Sequence, residues 1–151
     1  MPSFDAMTSW RDQASTSAQD DLDGLLSAVL PLAEQQLAQH GEFFPFGASV
    51  SADGGASLLA ADPGLGDLPA SDAVLAALYA EARGAAATTR AAAFVADVRA
   101  ERSDAVRTEL EHQEGISLVV LLPYTRSRFK KAVAFGPMSV SQGVSRVWTS
   151  T

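Results

Sequence analysis

"AAAFVADVRAERSDAVRTELEHQEGISLVVLLPY", residues 91–124, is the stretch on which the fold turns. Apolar residues recur there at every second position, the period of a strand whose side chains point alternately to the two faces of a sheet. Phe94, Ala96 and Val98 alternate with Asp97, Arg99 and Glu101; Val106, Thr108, Leu110 and His112 alternate with Arg107, Glu109 and Glu111. Both segments read as half-buried strands with their charges on a solvated face. A loop over 102–104 keeps the faces matched but sets Arg99 opposite Arg107. A loop over 102–106 pairs Arg99 with Glu109 and Glu101 with Arg107 and leaves Asp97 facing Glu111, so charge favours the longer loop. "HQEGI" predicts a three-residue hairpin loop with Gly115 in the left-handed position. "ISLVVLLPY" is apolar on both faces. Ile116, Leu118, Val120 and Leu122 are expected in the core, whereas Val119 and Leu121 point the other way and need cover from a central place in the sheet, the N-terminal arm or a second subunit.

Working outward, "KKAVAFG" predicts a strand near 130–135, and Val144, Val147 and Trp148 predict a tail that packs back. Upstream, Leu22, Leu25, Leu26, Val29, Leu32, Ala33 and Leu37 follow helical spacing over 20–40, with Gly41 as the stop and Pro31 predicting a kink or local break near 27–31. Two short apolar stretches flank Asp53-Gly54-Gly55 and predict a hairpin over 43–51 and 55–61, an edge strand or one that begins after Pro45. Phe43, Phe44 and Phe46 are expected to fill the space between helix and sheet. Ser71 or Asp72 opens a second helix with Val74, Leu75, Leu78, Tyr79 and Ala82 on one face. Residues 1–19 read as a polar arm in which Phe4, Met7 and Trp10, three apart, suggest a short helix docking on this subunit or a neighbour. Residues 20–151 form one domain. The order α-β-β-α followed by three or four antiparallel strands gives an α+β fold, one antiparallel sheet with its helices on one face.

With 151 residues the chain is long enough for one core. It has no cysteine, which excludes disulfides, thiol nucleophiles and Cys-based metal sites and fits a reducing compartment. The first residues lack a basic then apolar leader and no run of apolar residues is long enough to span a bilayer, so a cytoplasmic protein without a membrane partner is expected. A net charge of −7 disfavours nucleic acid and suits a basic protein partner.

Chemistry-bearing constellations are sparse. His40 belongs at a helix C-terminus, where the dipole favours a cation, and His112 reads as a structural histidine on the inward face. Glu109 and Glu111 share one face about 7 Å apart, a spacing usable for acid/base work, although Arg99 and Arg107 are expected to neutralise them. A metal site from Glu109, Glu111 and His112 would need both faces of one strand, so no metal and no cofactor is expected. "GLGDLPASD" has two glycines before a helix but lacks the remaining features of a phosphate loop, and no G-x-S-x-G elbow occurs. Arg126, Arg128, Lys130 and Lys131 in "TRSRFKKA" reverse the prevailing charge and are candidate anion ligands.

The stretches "GEFFPFGA", "ELEHQEG" and "LLPY", with a C-terminal aromatic, resemble a group of small uncharacterised proteins from high-GC bacteria over about residues 22–148. That resemblance implies a shared fold and a bacterial cytoplasmic setting, and it transfers no site. The order of elements is similar to that of roadblock and profilin-like domains. The expected function is a non-enzymatic interaction module, homodimeric through Val119 and Leu121 or a sheet edge, with Phe4, Met7 and Trp10 as further interface candidates. The alternatives are an immunity- or antitoxin-like acidic inhibitor of a basic partner, whose acids would cluster on one face, and a small-ligand protein or hydrolase using Glu109, Glu111 or His112.

Overall fold

Ser15 starts the first long helix: its hydroxyl accepts the backbone N–H of Ala18 at 3.0 Å. In this computed structural model, which describes residues 10–60, 71–100, 102–127, 129 and 132–149, helix α1 runs over Thr16–His40. It begins four residues earlier than its apolar spacing predicts, and Gly41 closes it at φ 78°. It also runs unbroken through Pro31, so the local break expected near 27–31 does not occur. Pro31 and Ser27 are both exposed, so the carbonyl that loses its donor faces water.

Strands β1 (Phe46–Ser51) and β2 (Ala56–Leu59) form the hairpin, and β1 begins directly after Pro45. Gly54 makes the turn possible at φ 98°. Helix α2 spans Ser71–Gly84 and a short 3-10 turn follows at Ala86–Thr88. The remaining strands are β3 (Thr89–Arg99), β4 (Asp104–His112), β5 (Ile116–Arg126), β6 (Val133–Phe135) and β7 (Ser139–Gln142). Together they make one antiparallel sheet in the order β2-β1-β3-β4-β5-β6, with β7 pairing the start of β5 and β6 its end. The fold is α+β, as expected. Gly115, at φ 96°, closes the predicted three-residue loop between His112 and Ile116.

The β3–β4 connection differs from both expected loops. Arg99 pairs with Asp104 and Phe94 with Glu109, and Ala100 N–H donates to Ser103 O at 2.8 Å. This register puts the even positions of β3 on the face of the odd positions of β4. Glu109 and Glu111 therefore share a face with Ala92 and Phe94, while Ala91, Ala93 and Val95 share the other with Thr108, Leu110 and His112. Ala91 to Ala96 are all buried, because β3 is covered on both sides and its alternation does not mark a solvated face.

The two helices consequently lie on opposite faces, not on the single face that the sequence predicts. On one, Leu22, Leu25, Val29, Ala33 and Leu37 of α1 pack on Ala93, Val95, Leu110 and Val120. On the other, Val74, Leu78 and Ala82 of α2 pack with Ala92, Phe94 and Val147. Tyr79 meets Phe94 edge to face at 4.8 Å. Val147 and Trp148 belong to that second layer, but Val144 is 63% exposed and does not pack back.

Candidate functional site

Two polar clusters and one groove stand out in this fold. The first cluster sits on the α2 face. Glu109 is buried beside Phe94 and accepts hydrogen bonds from the Tyr79 hydroxyl, from Arg107 Nη1 at 3.0 Å and from Arg146 Nε at 2.9 Å. Burial, reinforced by Glu109, pushes the Tyr79 hydroxyl up to about 12. Glu111, also buried, accepts Ser145 Oγ at 2.7 Å and the backbone N–H groups of Arg146 at 2.7 Å, Val147 at 3.1 Å and Trp148 at 2.9 Å. Three consecutive amides thus converge on one carboxylate, an anion-holding concavity with the anion supplied by the chain itself.

Neither glutamate lies on the solvated face expected for it, and of the two arginines expected to neutralise them only Arg107 does so. Arg99 instead pairs with Asp104 at 3.4 Å across the β3–β4 turn. Tyr79 and Arg146 lie too far from Glu109 in sequence for any local pattern to link them. The groove between α1 and the β1–β2 hairpin is lined by neither carboxylate.

The second cluster ties α1 to the sheet on the other face. Asp21 accepts Arg90 Nε and Nη2, both at 2.9 Å, and lies 3.0 Å from His112 Nε2. His112 Nδ1 accepts the backbone N–H of Glu114 at 3.2 Å, which leaves Nε2 to donate to Asp21. Burial opposes ionisation of Asp21, yet the hydrogen bonds from Arg90 and His112 outweigh it and hold the carboxyl below its ordinary range. His112 is buried, and both of its ring nitrogens have a hydrogen-bond partner within the chain. No group of three metal-ligating side chains comes together among the described residues.

Of the candidate anion ligands, Arg126 bonds carbonyls of its own chain. Its Nε donates to Leu37 O at 2.8 Å and its Nη2 to Ala38 O at 3.4 Å, capping the C-terminal carbonyls of α1. Arg128, Lys130 and Lys131 lie outside the described residues, as do Phe4 and Met7. Residues 10–13 are helical, and Trp10 is buried in the α1-side core of its own chain, a core that includes Leu118 and Val140. Val119 and Leu121 are half-buried on the opposite face, so Trp10 is not their cover.

The groove runs between α1 and the β1–β2 hairpin. A hollow of about 520 Å³ is lined by Gly24, Leu25, Ala28, Leu32, Val50 and Leu58, among others, with Asp20 and Asp21 at one end. It continues through a hollow of about 360 Å³ that shares Leu32 and Leu58 and adds Phe43 and Phe44. A third, of about 410 Å³, shares Gln36, Phe43 and Phe44 and reaches Glu42 and Asp97. Phe44 is 52% and Leu58 65% exposed. Of the three phenylalanines expected to fill the core, Phe43 and Phe46 pack against it in an edge contact at 5.6 Å, while Phe44 faces out along the groove. Strand β2 borders the groove and, among the described residues, has β1 as its sole ladder partner.

Charge is segregated along the chain. Residues 12–82, which supply α1, the hairpin and α2 up to its last two residues, contain eleven acids and no lysine or arginine. Every cation but one lies beyond that stretch, the exception being Arg11, which is bound to Asp23 at 3.0 Å. Most of the described arginines are engaged internally, whereas Asp20 and Glu42 at the two ends of the groove are exposed with no described cation within ion-pair reach. No helix of the described residues is long and apolar enough to cross a membrane. Compared with family models, with curated proteins and with solved structures, the chain finds no match.

Proposed function

We propose that this protein is a non-enzymatic interaction module whose docking surface is the side of the molecule built from α1 and the β1–β2 hairpin. The observation that carries this reading is the apolar groove beside strand β2, which among the described residues pairs with β1 alone, with Leu58 and Phe44 exposed along the groove. Exposed large apolar side chains on a groove with a polar rim mark interaction sites. The burial and internal pairing of Glu109, Glu111 and His112 also support a binding role over an enzymatic one, since each polar group already has its partners. The acidic stretch favours a basic partner, the reading in which the protein masks a positively charged protein.

The test is a selection of random peptides displayed on phage against the native chain and against Leu58→Asp. Sequences combining apolar and basic residues should enrich on the native protein and be lost on the variant. Enrichment that is indifferent to Leu58→Asp would remove the groove as the docking surface.

Homodimerisation is a second reading, and Val119 and Leu121 favour it. They lie on the α2 face of β5, while α2 packs over β1 and β3. Light scattering on the native chain and on Val119→Lys/Leu121→Lys tests it: a dimer that dissociates in the variant supports it, and a monomer in both removes it.

A further inference from the structure

The groove has the shape and charge of a seat for one more helix. We propose that its occupant is an amphipathic, basic helix from another protein, lying over β1 and β2 alongside α1; this rests on the docking reading above.

The first argument is where the hollow lies. Its floor is the α1-facing side of the hairpin, Ala48, Val50, Ala56 and Leu58, and its wall is the flank of α1. A strand added to β2 would widen the sheet sideways and leave this floor uncovered. A helix beside α1 would complete the layer, since a sheet face needs helical cover.

The wall suits a helix as well. Gly24 and Ala28 stand one turn apart with almost no side chain, and a Cβ placed on Gly24 meets nothing within 4 Å. Small residues at a contact bring helix axes to the short end of the usual range, about 8 Å. From Asp20 to Gln36 the lined stretch of α1 is about 24 Å long at 1.5 Å per residue, enough for about 16 residues of a partner helix. Leu25, Leu32, Leu58 and Phe44 provide the apolar contacts.

Charge decides what kind of helix. Asp20 stands at one end and Glu42 at the other, both exposed and without a described cation within ion-pair reach. The two long helices of a second copy do not satisfy them. α1 contains no lysine or arginine, and the one such residue in α2, Arg83, donates to Arg146 O at 2.6 Å.

Three probes test the proposal by fluorescence anisotropy: a leucine-striped helical peptide flanked by lysines, the same peptide with glutamate for lysine, and a strand-forming peptide with alternating leucine and lysine. The protein variants are Ala28→Trp, which fills the hollow from an exposed position, and Asp20→Lys. Circular dichroism checks that both variants fold.

The lysine helix should bind, about tenfold or more weaker to Ala28→Trp and several-fold weaker to Asp20→Lys, with affinity falling as salt rises. The glutamate helix should not bind. Binding of the strand peptide alone would overturn the helix and leave the docking reading standing. Failure of both lysine peptides up to millimolar concentration would overturn both. A concentration-dependent dimer abolished by Ala28→Trp would overturn the foreign helix in favour of a second copy.

Discussion

Glu111 on β4 accepts the backbone N–H of Trp148 at 2.9 Å, fastening the C-terminal tail to the interior of the sheet. The same carboxylate holds Arg146 and Val147, and Val147 closes the core under α2.

Removing that carboxylate should therefore unseat the tail. Glu111→Ala leaves three amides without their acceptor and uncovers Phe94, and it is expected to cost about 3 kcal/mol in urea unfolding. Trp148 emission should shift to the red, because its indole N–H, 3.3 Å from Ala86 O, would enter water. Unchanged emission with full stability would show that the tail is held by something else.

Asp21 should set the acid limit of stability. Its folded carboxyl lies below the ordinary value of 3.8, so its contribution is complete above that value and is lost as pH falls through the lowered one. Asp21→Asn is expected to cost about 2 kcal/mol at neutral pH and to flatten the acid branch of a pH–stability curve. An acid branch of native steepness in the variant would assign it to other carboxylates.

Asp97 should act in the opposite sense. Burial, with Asp104 and Glu42 nearby, raises its carboxyl despite the hydrogen bond from the Tyr124 hydroxyl at 2.6 Å. A raised folded value means stability that is complete below the ordinary 3.8 and lost as pH climbs through the raised one. Asp97→Asn keeps an acceptor for Tyr124 and removes the charge. It should be at least as stable as the native chain at neutral pH and lack this loss; a clear destabilisation at neutral pH would contradict the sign.

Gly47 is expected to tolerate no side chain. A Cβ there would lie 2.6 Å from the backbone oxygen of Ala93 across the β1–β3 ladder, and neither strand can yield without breaking pairs. Gly47→Ala should lower stability by about 3 kcal/mol, read as a fall in thermal midpoint. Gly24→Ala, where the added carbon meets nothing, is the control.

Local patterns determined the elements of this protein. Helical spacing from Leu22 to Leu37, the glycines at 41, 54 and 115, and the serine opening α2 each act within a few residues, and the structure places an element boundary or turn at every one. The α+β order follows from them. Tertiary structure alone decided which side of each strand is inside. In β3 the alanines are buried on both faces, so the alternation of Phe94 with Asp97 had no solvent face to report, and a pairing with β4 that sets Arg99 opposite Asp104, an odd number of residues from either expected register, exchanged the surroundings of Glu109, Glu111 and His112. The placement of α1 and α2 on opposite faces followed from that exchange. The groove was equally illegible, because its wall and floor come from helix and hairpin residues whose exposure depends on how far α1 reaches across the sheet, a distance that no local spacing encodes.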